Sequence, residues 1–379
     1  MRTLSIDIET FSPISLAKSG VYKYCNHPDF EILLFSYAID DCAVRTVDLA
    51  SGEQLPAKIL RALDDPAVVK WAYNAAFERT CLSAYLGRRL DPAGWRCSMI
   101  WAASLGLPLS LKDVSKVLNL DAQKMDEGKD LIKHFCVPDD NSQRRLPSSD
   151  PAGWKLFKMY NARDVEVETA IRHKLANFPV PDYLWEQYEV DQRINDLGIR
   201  IDTTLAANAI TIDESHRAQA LARARKLTGL DNPASPLQLQ EWLNQHGCTI
   251  ESMAKESVDD ALANATGQVR EALELRQELS RSSVAKYRKM IDVTCTDQRA
   301  HGLLQFYGAN RTGRWAGRLV QVQNLPRNYL PDLAQARGLV RDGNGEALDM
   351  LYSSVPDTLT QLIRTAFIPS EAHRFIVAD

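Results

Sequence analysis

Apolar positions change period several times along this chain. Leu4-Ser5-Ile6-Asp7-Ile8-Glu9 alternates with period two, and residues 31–39 and 44–49 follow as further strand-like runs. Period two is that of a strand, whose successive side chains face opposite ways, and three early runs of this kind predict a meander. Residues 56–63 carry apolar side chains at helical spacing, 68–72 return to the strand pattern, and 75–86 are helical again. From there to residue 175 helical spacing dominates. Ser110 is placed to cap a helix opening at Leu111, and residues 151–175 form one long periodic segment.

Phe178-Pro179-Val180-Pro181 interrupts this mixed α and β pattern. Two prolines within four residues favour a joint, and we place the domain boundary there. A helix-rich stretch runs from 183 to about 292, broken by Asn232-Pro233-Ala234-Ser235-Pro236, and residues 302–307 and 374–379 are strand-like. At 379 residues the chain exceeds one typical core, so we expect two domains, 1–180 and 181–379. The fold class expected is mixed α/β in the first and mostly helical in the second.

The apolar share of 45% and charged share of 25% are those of an ordinary globular protein. The N-terminus carries Asp7 where a signal peptide needs an apolar run, and no stretch reaches the ~20 apolar residues of a membrane span, so a cytoplasmic protein without a membrane partner is expected. The seven cysteines are scattered and never spaced as C-x-x-C, which fits reduced thiols rather than a disulfide framework. A net charge of -4 argues against a protein that coats nucleic acid, although a local basic groove remains compatible with it.

Candidate chemistry begins with acids. Asp7 and Glu9 lie two apart on the first strand, so both leave from one face while Ile6 and Ile8 point to the other. Two carboxylates so close repel, and a hard divalent cation such as Mg²⁺ or Mn²⁺ relieves the repulsion. Glu78 stands at a strand-to-helix junction, and Asp164 follows Tyr160 by four residues. On a helix that spacing puts the phenol and the carboxylate on one face, where both address the same water.

Taken in order, Asp7-x-Glu9, Asn74-x-x-Phe77-Glu78 and Tyr160-x-x-x-Asp164 resemble the three exonuclease motifs of the DEDD superfamily, tyrosine subtype. The resemblance implies a ribonuclease H-like fold and 3'-5' hydrolysis of phosphodiesters with two Mg²⁺ or Mn²⁺ ions. It assigns Asp7, Glu9, Glu78 and Asp164 to the metals and Tyr160 to the attacking water. Asn74 and Phe77 would shape the pocket, and Thr10 would meet the terminal nucleotide through its backbone. One position departs from the pattern: the second motif usually ends in Asp, and Glu78 is one methylene longer. Glu78 either ligates directly where Asp would act through water, or misplaces the second metal.

Residues 309–327 carry four arginines and no acid, with Trp315 among them, a composition suited to phosphates and base edges. Thr312-Gly313-Arg314 followed by Gln323-Asn324-Leu325-Pro326 resembles the T-G-R…Q-N-[IL]-P element of family A DNA polymerases. Primer-template contact by Arg311, Thr312, Arg314, Gln323 and Asn324 is what this implies, with Arg314 in the minor groove. Asn232-Pro233-x-Ser235-Pro236-x-Gln238-Leu239 resembles the entry to that family's thumb, and 270–291 its long helix. Residues 363–369 and 375–379 resemble the approach to polymerase motif A, which makes Asp379 the first metal-binding palm aspartate. Gly128-Lys129-x-Leu131-Ile132 is similar to the bacteriophage enzymes.

The resemblance therefore divides 181–379 into a thumb at about 200–295 and the start of a palm at about 296–379, with fingers and the rest of the palm absent. The expectation is a proofreading 3'-5' exonuclease that binds DNA ends and primer-template and adds no nucleotide alone, a second chain supplying the missing parts where the gene is split. The competing expectation is a non-catalytic DNA-holding or assembly subunit.

Overall fold

The opening alternation becomes the nine-residue strand β1 (Thr3–Phe11) in a computed structural model that describes residues 1–125, 127–139, 143–280, 284–309 and 311–376. Leu4, Ile6 and Ile8 enter the main core beside Tyr24, Cys81 and Leu82. β2 (Glu31–Ile39) and β3 (Arg45–Asp48) complete the expected meander, and β4 (Val69–Ala72) and β5 (Trp95–Cys97) extend the sheet on its other side. The strand order is β3-β2-β1-β4-β5. β1 and β3 run antiparallel to β2, whereas β1, β4 and β5 are mutually parallel. A parallel step needs a crossover rather than a tight turn.

α1 (Leu16–Cys25) follows β1, α2 (Ala57–Asp64) precedes β4, and α3 (Ala75–Tyr85) crosses from β4 to β5. α4 (Ser98–Ser104) leaves β5 directly, α5 (Leu111–Val117) is capped by the Ser110 hydroxyl, and α6 (Gly128–Phe135) comes next. α7 (Pro151–Leu175) has the bounds that periodicity predicts: the Asp150 side chain accepts from the Gly153 amide and Pro151 fills the first turn, both ordinary helix-start devices. Arg172 of α7 donates to Ser5 of β1 at 2.7 Å, so this long helix lies over the face of β1 that carries Ser5, Asp7 and Glu9. A register shift between Glu9 and Thr10 interrupts the β1/β2 ladder.

Compact packing does not break at the proline joint. The first unit comprises 1–198 with 293–323, the second 199–292 with 324–379. α8 (Asp182–Leu197) stays with the first unit because Val180, Trp185 and Tyr188 are buried in its core, and the Trp101 indole donates to the Phe178 carbonyl at 2.7 Å. The first compact unit thus runs past the joint expected at residue 180, as far as Gly198. Two prolines fix a local conformation; they do not decide which core the next helix joins.

A hairpin of Leu304–Ala309 and Arg314–Gly317 also belongs to the first unit. Asn195 on α8 grips the Leu304 amide and carbonyl, each at 3.0 Å, and the Trp315 indole donates to Asp191 at 2.8 Å.

In the second unit Ile199–Ile201 pairs antiparallel with Phe367–Ile368. Helices α9 (Thr203–Thr228), α10 (Pro236–Gln245), α11 (Lys255–Asn264) and α12 (Gly267–Ser280) follow. Leu239, Trp242, Leu243, Ile250, Val258 and Leu273 form their buried cluster. α13 (Val284–Val293), α14 (Leu333–Arg341), α15 (Gly345–Leu351) and α16 (Val355–Leu362) complete the unit. The Tyr287 hydroxyl donates to the Leu359 carbonyl at 2.6 Å. The expected long helix over 270–291 is described as α12 and the start of α13, with 281–283 outside the described residues. Residues 374–376, expected as strand, have no strand partner among the described residues, and Asp379 lies outside them.

Candidate functional site

β1 carries Asp7 and Glu9 in its middle, flanked by β2 and β4. The sharp exit from β4 through Tyr73 and Asn74 starts α3, which puts Glu78 in that helix's first turn, where the helix dipole favours an anion. α7 adds a third line of groups, with Tyr160, Asp164 and Glu168 one turn apart and Asn161 beside them, all buried.

The three elements bring the expected acids into electrostatic range of one another. Burial raises the Asp7 carboxyl well above the ordinary range, and the Asp164 charge raises it further. Burial, then Asp7, then Asp164 do the same to Glu9. Glu78 is pushed up by burial and by Asp7. Asp164 is raised by burial against the opposing pull of Lys124. Burial and the Asp164 charge lift the Tyr160 phenol far out of the physiological range, so its proton stays on.

Several of these groups already have partners that sequence reading missed. The Asn161 amide donates to Asp7 Oδ2 at 2.6 Å, and Lys124 Nζ donates to Asp164 Oδ2 at 2.5 Å. The Cys136 thiol reaches Glu9 Oε2 at 3.9 Å. Lys124 Nζ also stands 4.9 Å from the Tyr160 ring centroid. Tyr160 is set against Gly128, where an added Cβ would fall 2.1 Å from Tyr160 Cε2, and stacks on Phe157. Farther along α7, Glu168 is held by Arg172 and Ser98. Asn161 had a readable signal, being next to Tyr160 on the same helix. Lys124 precedes α6 and Cys136 closes it, and nothing in the sequence singles them out.

The donor chemistry suits a hard divalent cation: the acids supply oxygen, and Glu78 Oε2 and Asp164 Oδ1 are buried without a hydrogen-bond partner. As the side chains lie, no group of three or more His, Cys, Asp or Glu among the described residues is arranged to hold an ion. Asn161, Cys136 and Lys124 engage the oxygens of Asp7, Glu9 and Asp164 that would have to converge.

The remaining candidates fall elsewhere. Asn74 and Phe77 line a cleft of about 400 Å³ with Tyr188, Gln305, Phe306 and Arg318. The Thr10 hydroxyl is engaged with that of Tyr24 at 3.0 Å. Arg311, Thr312 and Arg314 are exposed around the hairpin turn, in which Gly313 takes a φ of +67° against the Tyr307 ring. Gln323 closes on Gly317, where a Cβ would lie 1.8 Å from its Oε1. Asn324 belongs to the second unit, where it lines a cavity of about 810 Å³ with Lys255, Arg276 and Lys286.

No protein-family model matches the sequence. Aligned over 386 residues, the chain is 51% identical to the DNA polymerase of Bacillus phage SP02, an alignment that covers all of this chain and 60% of that protein. The chain thus spans about three fifths of the length of the curated relative it matches. The POL domain of Pol1 from M. smegmatis, solved in complex with DNA primer-template and dNTP, superposes with a TM-score of 0.55 at 14% identity. That superposition covers 88% of this chain and 54% of the other, a likeness of fold.

Proposed function

Because this chain is homologous over its whole length with part of a phage DNA polymerase, we propose that it is the portion of a family A polymerase that bears the 3'-5' proofreading exonuclease and part of the primer-template grip. One observation carries the exonuclease reading: Glu9 on β1, Glu78 on α3 and Asp164 on α7 are buried around the half-buried Asp7, neighbouring acids raise the carboxyls of Asp7, Glu9 and Glu78, and Tyr160 lies one turn from Asp164. The mixed five-stranded sheet under them supports a ribonuclease H-like domain.

In this reading Asp7, Glu9, Glu78 and Asp164 hold two Mg²⁺ or Mn²⁺ ions. Bound there, the ions supply water activation and stabilise the charge that develops on the phosphodiester. The rest is done by the chain. Asn161 fixes the orientation of Asp7, the role a hydrogen-bonded neighbour plays for any carboxylate ligand. Tyr160 keeps its proton and therefore orients the attacking water as a hydrogen-bond donor, not as a base. The cleft lined by Asn74, Phe77 and Phe306 receives the terminal bases of a single strand, with aromatic rings as stacking platforms. Arg311 and Arg314 present exposed guanidiniums to duplex phosphates and the minor groove.

Nucleotide addition belongs, in this account, to the full-length polymerase. Asp379 would be one of its palm carboxylates, and the fingers and remaining palm would come from the parts of the relative this chain does not span. A second reading is a DNA-holding subunit without catalysis, favoured by the lack of a ready-made ligand group among the described residues. Incubation of the chain with single-stranded DNA and Mg²⁺ or Mn²⁺ separates the two: stepwise release of mononucleotides supports the exonuclease, and intact DNA retained by folded protein supports the second reading.

A further inference from the structure

The carboxylate site contains a cation of its own. Lys124 reaches in from the segment before α6, its Nζ 2.5 Å from Asp164 Oδ2 and 4.9 Å from the centroid of the Tyr160 ring. Its side chain is 26% exposed and that of Asp164 only 6%, so the ammonium lies at the rim and the carboxylate on the floor. The other Asp164 oxygen has no partner. The long, flexible lysine stem allows the ammonium to swing outward into water at little cost.

We propose that Lys124 is an exchangeable counter-ion of Asp164, holding that carboxylate in place before a divalent metal arrives and giving way to the metal when it binds. This inference rests on the metal-site reading above and deepens it. The exchange has two consequences. Metal affinity is set by competition with a tethered ammonium as well as by the four acids, and the displaced ammonium is left at the mouth of the site. There it faces the phosphate of an incoming strand, where a lysine acts as a mobile point charge. A lysine that served only as a fixed structural partner of Asp164 would instead help to build the metal site, and its loss would weaken metal binding.

The test is equilibrium Mn²⁺ binding, read by electron paramagnetic resonance of free ion and by the metal-induced shift in melting temperature. The native chain is compared with Lys124→Met, Lys124→Arg and Asp164→Asn, without DNA. Lys124→Met is expected to bind Mn²⁺ about fivefold more tightly, the upper end of what an ion pair at a surface is worth. It should also melt lower than native without metal and show the larger metal-induced shift. Lys124→Arg keeps the charge and should behave as native, which controls for packing. Unchanged or weaker Mn²⁺ binding by a folded Lys124→Met chain overturns the counter-ion role and leaves the exonuclease reading standing. Absence of Mn²⁺ binding by native and all variants overturns both.

Discussion

Asn161 donates a 2.6 Å hydrogen bond to Asp7, and this one contact fixes the long helix α7 to the carboxylate strand at the point where chemistry is proposed. Asn161 is fully buried, and its own Oδ1 has no partner, so its amide is aimed at Asp7 rather than shared among neighbours. Asn161→Ala should lower exonuclease turnover by roughly 10- to 100-fold, the usual cost of freeing a ligand from its orienting neighbour. Gel analysis of a 5'-labelled oligonucleotide, with circular dichroism to confirm folding, checks it.

Glu78 is a buried acid whose Oε2 has no protein partner. Its carboxyl is raised by burial and by Asp7. A raised native-state pKa means that the folded chain binds more protons than the unfolded one. Stability is then full below the ordinary carboxylate value of about 4 and is lost as pH climbs from there through the folded value. Glu78→Gln should therefore raise the melting temperature of the metal-free protein at neutral pH and give no gain in acid, while removing metal-dependent activity. Glu78→Asp keeps the charge and should retain activity. Calorimetry across pH, alongside the nuclease assay, reads both.

Asp191 and Trp315 join α8 to the arginine-bearing hairpin through a 2.8 Å bond. Burial pushes the Asp191 carboxyl up to about 6, against the stabilising hydrogen bonds from Trp315, Gln192 and Asn195. Removing one donor with Trp315→Phe should destabilise the chain by about 1 to 3 kcal/mol at neutral pH, the cost of a buried acceptor left short of a partner. The loss should shrink as pH falls below about 6 and the carboxyl becomes neutral. Denaturant unfolding at two pH values measures it.

Gly128 sits against the Tyr160 ring, with room for no Cβ. Gly128→Ala should displace Tyr160 and cut cleavage at least about tenfold while leaving Mn²⁺ binding near native, because an overpacked contact shifts what it touches. Parallel Mn²⁺ titration and nuclease kinetics distinguish this from loss of the metal site.

Much of the first unit is readable because its elements are strongly periodic. The alternation around Asp7 and Glu9 gives β1, and the residues between Asp150 and Leu175 give α7 with both ends marked. Elements without such marks escaped: α1 contains Gly20 at a φ of +77° inside a helical span, and Trp95–Cys97 is a three-residue strand too short to show a period. Pro179 and Pro181 mark a local bend in the sequence, whereas membership of a core is decided by Trp185 and Tyr188 farther on. The acids of the candidate site were legible as ordered motifs. Their partners Lys124 and Cys136 were not, since only the fold brings them beside Asp164 and Glu9.

The most direct test of the account is mononucleotide release from 5'-labelled single-stranded DNA with Mg²⁺ or Mn²⁺, comparing the native chain with Asp7→Ala/Glu9→Ala. The native protein is expected to shorten the strand stepwise from its 3' end, an activity abolished by chelation and by the double variant. Intact DNA after incubation with folded, metal-supplemented native chain would contradict it.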